Sequence, residues 1–172
     1  MKGLSEALFD FMHLLVHPFR TLLARGRWIE FSIGSAIFAW VVTFLLLAAV
    51  SWLIAEPAAQ GNQSAFAILF GGVIFAPLVE NLFVVVALAV LGNWFSGTVS
   101  VLVMTGLAIA LHAVLASWAG ISALVLFPLM GFSYQAWHVR GPKLAFLVIF
   151  LQHALFNLPA AAEAAMHAAD FL

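Results

Sequence analysis

The sequence predicts an all-α, polytopic transmembrane helical bundle with about five spanning helices and an N-terminal interfacial helix. Of its 172 residues, 66% are hydrophobic and 8% are charged, and the mean hydropathy is +1.16. No Lys or Arg occurs between Arg27 and Arg140. Such a composition is typical of integral membrane proteins, so we expect one membrane domain over residues 1–172, with the lipid bilayer as its main partner.

Charge and cysteine content exclude several other classes. The net charge is −1 and no basic patch is present, which argues against nucleic acid as a partner. The chain contains no cysteine, so disulfides and thiolate catalysis are excluded.

Residues 1–27 are predicted to form an amphipathic cytoplasmic segment rather than a secretory signal. Acidic residues, three arginines and Pro18 occur here before any long apolar run begins. The helical spacing of four apolar residues predicts a short interfacial helix that ends at Pro18: Leu4, Leu8, Phe11 and Leu15. A solvated N-terminal helix is the alternative.

Five apolar stretches are long enough to serve as spans. A bilayer core requires about 20 apolar residues per helix, which predicts spans near residues 31–54, 65–91, 97–118, 121–137 and 144–158. The last two are short, and the fifth has an Ala-rich continuation beyond Pro159. A bundle of four or of six spanning elements is therefore an alternative. The connections are too short to hold a separate domain.

The basic residues predict the orientation. They lie before the first span, at Lys2, Arg20, Arg25 and Arg27, and between the fourth and fifth spans, at Arg140 and Lys143. Lys and Arg collect on the cytoplasmic side, so five spans with a cytoplasmic N-terminus place both groups inside. We expect a bacterial inner-membrane protein with this orientation.

Four polar side chains fall at a similar depth in three different spans: Glu80, His112, His153 and Asn157. At 1.5 Å per residue they lie roughly 15–22 Å from the cytoplasmic side. An ionisable side chain at mid-bilayer costs about 2.5–3.5 kcal/mol, and a carboxylate beside histidines suits a general base. We expect this polar layer to open toward the cytoplasmic side. Alternatively, the residues only hold the helices together.

A proline and two glycines precede Glu80 on the same span. Pro77 removes a backbone donor and can kink the helix one turn before Glu80. Gly71 and Gly72 either loosen the preceding turn or permit close helix packing.

Three short motifs carry a resemblance to a known family. They are APLVENLFVV around Glu80, ALHAVLASW around His112, and QHALFNLP, which contains an HxxxN pattern from His153 to Asn157. In this order they resemble the EExxxR, FxxxH and HxxxN motifs of the CPBP (ABI) family of CAAX-prenyl-protease-like intramembrane endopeptidases, over residues 65–158. The chain departs from these motifs in having Asn81 for the second Glu, Val85 for the Arg and Ala108 for the Phe.

The resemblance implies an intramembrane glutamic-type endopeptidase that cleaves a membrane-associated protein, membrane peptide or lipidated peptide. In this interpretation Glu80 with His112 activates water, and His153 with Asn157 holds the oxyanion, without a required cofactor. The missing Glu and Arg leave a catalytically silent family member as an alternative.

Two other uses of the buried histidines are alternatives. Glu80, His112 and His153 form a chemically reasonable zinc set with one open position. Alternatively, the histidines bind a haem or chlorophyll-type pigment in a non-catalytic subunit or scaffold of a host membrane complex. Most of the tryptophans are explained without a bound pigment, because five lie near predicted span ends and are interpreted as an interfacial belt: Trp28, Trp52, Trp94, Trp118 and Trp137.

Overall fold

A computed structural model describes residues 17–50, 64–115 and 117–170, and every regular element in these ranges is helical. The interfacial helix predicted before Pro18 lies outside the described residues. After a 3₁₀ turn at His17–Phe19, the elements are α1 (Arg20–Ala24), α2 (Trp28–Val50), α3 (Ala65–Leu91), α4 (Gly97–Leu115), α5 (Ser117–His138) and α6 (Pro142–Asp170).

Five of these helices, α2 to α6, are long and apolar enough to cross a membrane, which confirms the predicted helical bundle. The largest difference in bounds concerns the last span, predicted at 144–158, because α6 continues through Pro159 to Asp170. Neighbouring helices allow proline inside a membrane helix, and the alanines that follow are strong helix formers. The Ala-rich continuation beyond Pro159 is therefore part of the fifth spanning helix.

Helix α5 lies at the centre of the bundle. Inside the protein, 67% of its span is buried, against 22% for α2. Its apolar core contacts involve α4 and α6, with Met104, Met130 and Ile149 fully buried. Gly131 permits the close approach of α4, because a Cβ there would lie 2.8 Å from Val101 Cγ1.

The basic residues Arg20, Arg25, Arg27, Arg140 and Lys143 lie at one end of the bundle, which we call the basic end. Arg140 Nη2 donates to the carbonyl oxygens of Leu23 (2.8 Å) and Ala24 (3.1 Å), the last residues of α1. These bonds hold α1 against the turn between α5 and α6.

Trp137 lies beneath the Arg140 guanidinium, which is 5.4 Å from the centre of its ring. Its side chain is fully buried and packs edge-on against Phe31, with the ring centroids 5.4 Å apart. The interpretation of Trp137 as part of an interfacial belt is therefore wrong. Its position near a span end does not expose it, because α2 covers it.

Helix α3 changes its hydrogen-bond register before Glu80. It is α-helical over Ala65–Phe70, π-helical over Gly71–Phe75 and α-helical again over Ala76–Leu91. The Ala76 N–H bonds to the Gly71 carbonyl, five residues back. In this register the Gly72 carbonyl faces the nitrogen of Pro77, which carries no hydrogen. The Gly72 carbonyl oxygen is therefore left without a hydrogen-bond donor in its own helix.

Candidate active site

Three titratable side chains from three helices meet inside the bundle. Glu80 of α3 places Oε2 3.5 Å from His112 Nε2 of α4 and 3.6 Å from His153 Nε2 of α6. The His153 side chain is 3% exposed, whereas those of Glu80 and His112 are 29% and 21% exposed. The structure thus brings together the three titratable residues of the predicted polar layer, with Glu80 between the two imidazoles.

A backbone carbonyl fixes the hydrogen of the His112 ring. His112 Nδ1 lies 2.8 Å from the Ala108 carbonyl oxygen, which only accepts, so Nδ1 donates. In the neutral ring, Nε2 then carries a lone pair and faces Glu80 Oε2. A proton can therefore pass between Glu80 Oε2 and His112 Nε2, which then exist either as a carboxyl group with neutral imidazole or as carboxylate with imidazolium.

Two buried side chains support His153. Its Nδ1 lies 3.4 Å from Asn81 Oδ1, and Asn81 is completely buried. Phe127 of α5 packs edge-on against both imidazoles, with ring centroids 5.2 Å from His112 and 6.3 Å from His153. Because Phe127 is only 2% exposed, it fills the space behind the rings and fixes their separation.

Asn157 is the fourth residue of the polar layer, and it bonds to a backbone carbonyl rather than to Glu80. Its Nδ2 donates to the Gly72 carbonyl oxygen at 2.9 Å, which is the carbonyl that Pro77 leaves unbonded. The helices approach closely here, since a Cβ at Gly72 would lie 3.2 Å from Ala161 Cβ. Asn157 therefore joins α6 to the π-helical segment, and its amide retains a second N–H.

The four residues of the predicted polar layer line one cavity of about 520 Å³: Glu80, His112, His153 and Asn157. Its other walls are mostly apolar and come from α2, α3, α5 and α6, with Phe44, Leu126 and Phe156 among the larger side chains. Thr43 of α2 also lines the cavity, and its buried Oγ1 has no hydrogen-bond partner among the described residues. The cavity thus includes a wall, α2, that lies outside the 65–158 region of the family resemblance.

The cavity extends away from the basic end. On α2 it is lined from Trp40 to Leu47, and on α6 from His153 to Ala164, both of which lie toward the end opposite the basic residues. The expectation that the polar layer opens toward the basic, predicted cytoplasmic side is therefore wrong. Large side chains such as Phe31 fill the basic half, whereas small residues and the π-helical segment leave space in the other half.

The two cofactor alternatives gain no support from this geometry. Within residues 17–50, 64–115 and 117–170, no group of three His, Cys, Asp or Glu side chains is arranged to hold a metal ion. Both histidine Nε2 atoms face the Glu80 carboxyl group, which occupies the direction in which a pigment metal would be ligated.

Sequence reasoning missed the supporting roles of Asn81 and Phe127 and the position of Thr43 on the cavity wall. Asn81 carries a signal, since it is an amide next to Glu80 in an apolar run, but the motif comparison marks it only as a departure from the family pattern. Phe127 carried none, because the chain contains 17 Phe and only the folded packing distinguishes this one.

Comparisons with known proteins give no relative from which a function could be inferred. No protein-family model matches the chain, and no curated protein or solved structure matches it significantly.

Proposed function

We propose that this protein is an intramembrane hydrolase in which Glu80 and His112 activate water to cleave a membrane-associated protein or peptide. The observation that carries the proposal is the contact of Glu80 Oε2 with His112 Nε2, at 3.5 Å, on the wall of a cavity within the bundle. A carboxyl group and an imidazole that share a proton form a general acid–base pair, which contributes about 10²- to 10⁴-fold in rate.

The chemistry follows from the proton that the pair holds. The pair is neutral overall whether the proton is on Glu80 or on His112, and the reactive state has Glu80 as a carboxylate and His112 as an imidazolium. Glu80 Oε2 then accepts a proton from a water molecule in the cavity, and the hydroxide adds to the substrate carbonyl carbon. The departing nitrogen takes its proton from the same pair.

Developing negative charge on the carbonyl oxygen requires a fixed donor. Asn157 supplies one, because its amide is held by the Gly72 carbonyl at 2.9 Å and its second N–H is available to the substrate. A donor that is already oriented loses little entropy when the transition state forms.

The arrangement supports the proposed relationship to the CPBP family and explains one departure from it. Val85, in the place of the family's Arg, packs against the apolar core. The charge of Glu80 is then balanced by His112 rather than by a cation on its own helix.

The proposal includes the orientation of the bundle in the membrane. We infer a bacterial inner-membrane protein whose basic end faces the cytoplasm, because Lys and Arg are retained there. The cavity then lies in the extracytoplasmic half of the membrane, and its substrate reaches Glu80 from that side or through the adjoining leaflet.

The test is cleavage of a panel of membrane-embedded and lipidated peptides by purified protein in lipid nanodiscs. Glu80→Gln keeps the size of the side chain but removes its basicity, whereas Glu163→Gln changes an exposed carboxylate of α6. We expect cleavage by the wild type and by Glu163→Gln, with a loss of about 10²-fold or more in Glu80→Gln. Equal cleavage by all three proteins contradicts the proposal, and inactivity of all three favours a non-catalytic membrane subunit.

A further inference from the structure

Asn81 contacts the candidate active site from inside the protein core. Its side chain is 0% exposed, and its Oδ1 lies 3.4 Å from His153 Nδ1. Among the described residues its Nδ2 has no hydrogen-bond partner. Among the described residues, the only side-chain hydrogen bond of this buried amide is therefore with an imidazole of the site.

The chemistry of the two atoms fixes where the hydrogen lies. An amide oxygen carries only lone pairs, so the hydrogen must be on His153 Nδ1. A neutral imidazole has one N–H, and its other nitrogen is an acceptor. That other nitrogen is Nε2, which lies 3.6 Å from Glu80 Oε2 on the cavity side of the ring.

We propose that Asn81 is a positioning residue that holds His153 as the Nδ1–H tautomer and thereby makes His153 Nε2 a proton acceptor of the site. The catalytic consequence rests on the proposed function. It differs from the oxyanion-donor role that the family resemblance implies for His153, because a ring nitrogen without a hydrogen cannot donate to a developing O⁻. His153 instead accepts a proton that Glu80 has taken from water.

A neutral side chain at position 81 is essential to this role. A carboxylate at the same position would stabilise the charged imidazolium, in which both nitrogens donate. The other titratable groups that face His153 are Glu80 and His112, both at the Nε2 side. The residue at position 81 therefore determines whether His153 accepts or donates in the cavity.

The tautomer can be observed directly by ¹⁵N NMR of protein labelled at histidine and reconstituted in nanodiscs. The His153 signals are assigned by their loss in His153→Gln. For the wild type we expect a protonated Nδ1 and an unprotonated Nε2. Asn81→Leu removes the acceptor, so the Nε2–H tautomer should appear. Asn81→Asp, which is nearly isosteric, should shift the Nε2 resonance into the protonated range.

His112 serves as the internal control, because its Nδ1 lies 2.8 Å from the Ala108 carbonyl oxygen and none of the substitutions changes that backbone carbonyl. A wild-type His153 protonated at Nε2 overturns the proposal, and so does a spectrum that Asn81→Leu and Asn81→Asp both leave unchanged. If Asn81→Leu does not fold, the wild type and Asn81→Asp still decide the question. The measurement needs no substrate, so its failure is distinguishable from failure of the proposed hydrolysis.

Discussion

The bond between Asn157 and the π-helical segment of α3 gives a stability prediction that needs no substrate. Asn157 Nδ2 donates to the Gly72 carbonyl at 2.9 Å, and Pro77 cannot replace that donor. Asn157→Leu leaves the carbonyl unsatisfied in a partly buried position. An interhelical hydrogen bond in a membrane contributes about 0.6–1.7 kcal/mol, and a buried unpaired group costs about 1–3 kcal/mol. We therefore expect a loss of about 1–2 kcal/mol in the free energy of unfolding.

A second substitution, at Pro77, should reduce that loss. Pro77→Ala restores an N–H at position 77, and the Gly72 carbonyl then has a donor within its own helix, in either the π or the α register. Asn157→Leu should consequently cost about 1 kcal/mol less in the Pro77→Ala background than in the wild type.

The assay is SDS-induced unfolding in mixed micelles, followed by the helical circular dichroism of the wild type, both single variants and the double variant. Pro77→Ala alone serves as the reference for any change in α3 itself. Equal losses from Asn157→Leu in the two backgrounds would refute the claim that Asn157 satisfies the carbonyl freed by Pro77.

Two further predictions concern packing and orientation. Gly131→Ala should lower the free energy of unfolding by about 1–3 kcal/mol, because its Cβ would lie 2.8 Å from Val101 Cγ1. Gly106→Ala, with no atom within 4 Å, should be neutral or stabilise by up to about 1 kcal/mol; the opposite order in SDS unfolding would contradict the packing described. In this cysteine-free chain, Ala164→Cys in the cavity wall should react with an impermeant maleimide in intact cells, and Lys143→Cys only after permeabilisation, whereas the reverse pattern would contradict the inferred orientation.

The sequence was sufficient to predict the number of spanning helices and the meeting of Glu80 with the two histidines. Long apolar runs have few alternatives to spanning helices, and an ionisable group at this depth must find polar partners inside the protein. Counting 1.5 Å per residue then placed all three side chains at one level, which their contacts in the structure confirm.

Other features depend on packing that a linear pattern does not contain. The burial of Trp137 requires α2 to cover it, and the side on which the cavity opens depends on where large and small side chains meet across helices. The π register of α3 reflects Gly71, Gly72 and Pro77 acting together with Asn157, which is far away in the sequence. From the sequence alone, the proline and the two glycines predict only a kink or a loosened turn before Glu80.

The most direct test of the central claim is a double-substitution cycle on the cleavage rate, with Glu80→Gln, His112→Gln and the double variant compared with the wild type on a peptide that the wild type cleaves. Residues that share one proton act as a unit, so their effects are not additive. We predict that each single substitution lowers the rate by about 10²- to 10⁴-fold and that the double variant is no slower than the slower single variant. Effects that multiply, or a Glu80→Gln protein as fast as the wild type, would contradict the account.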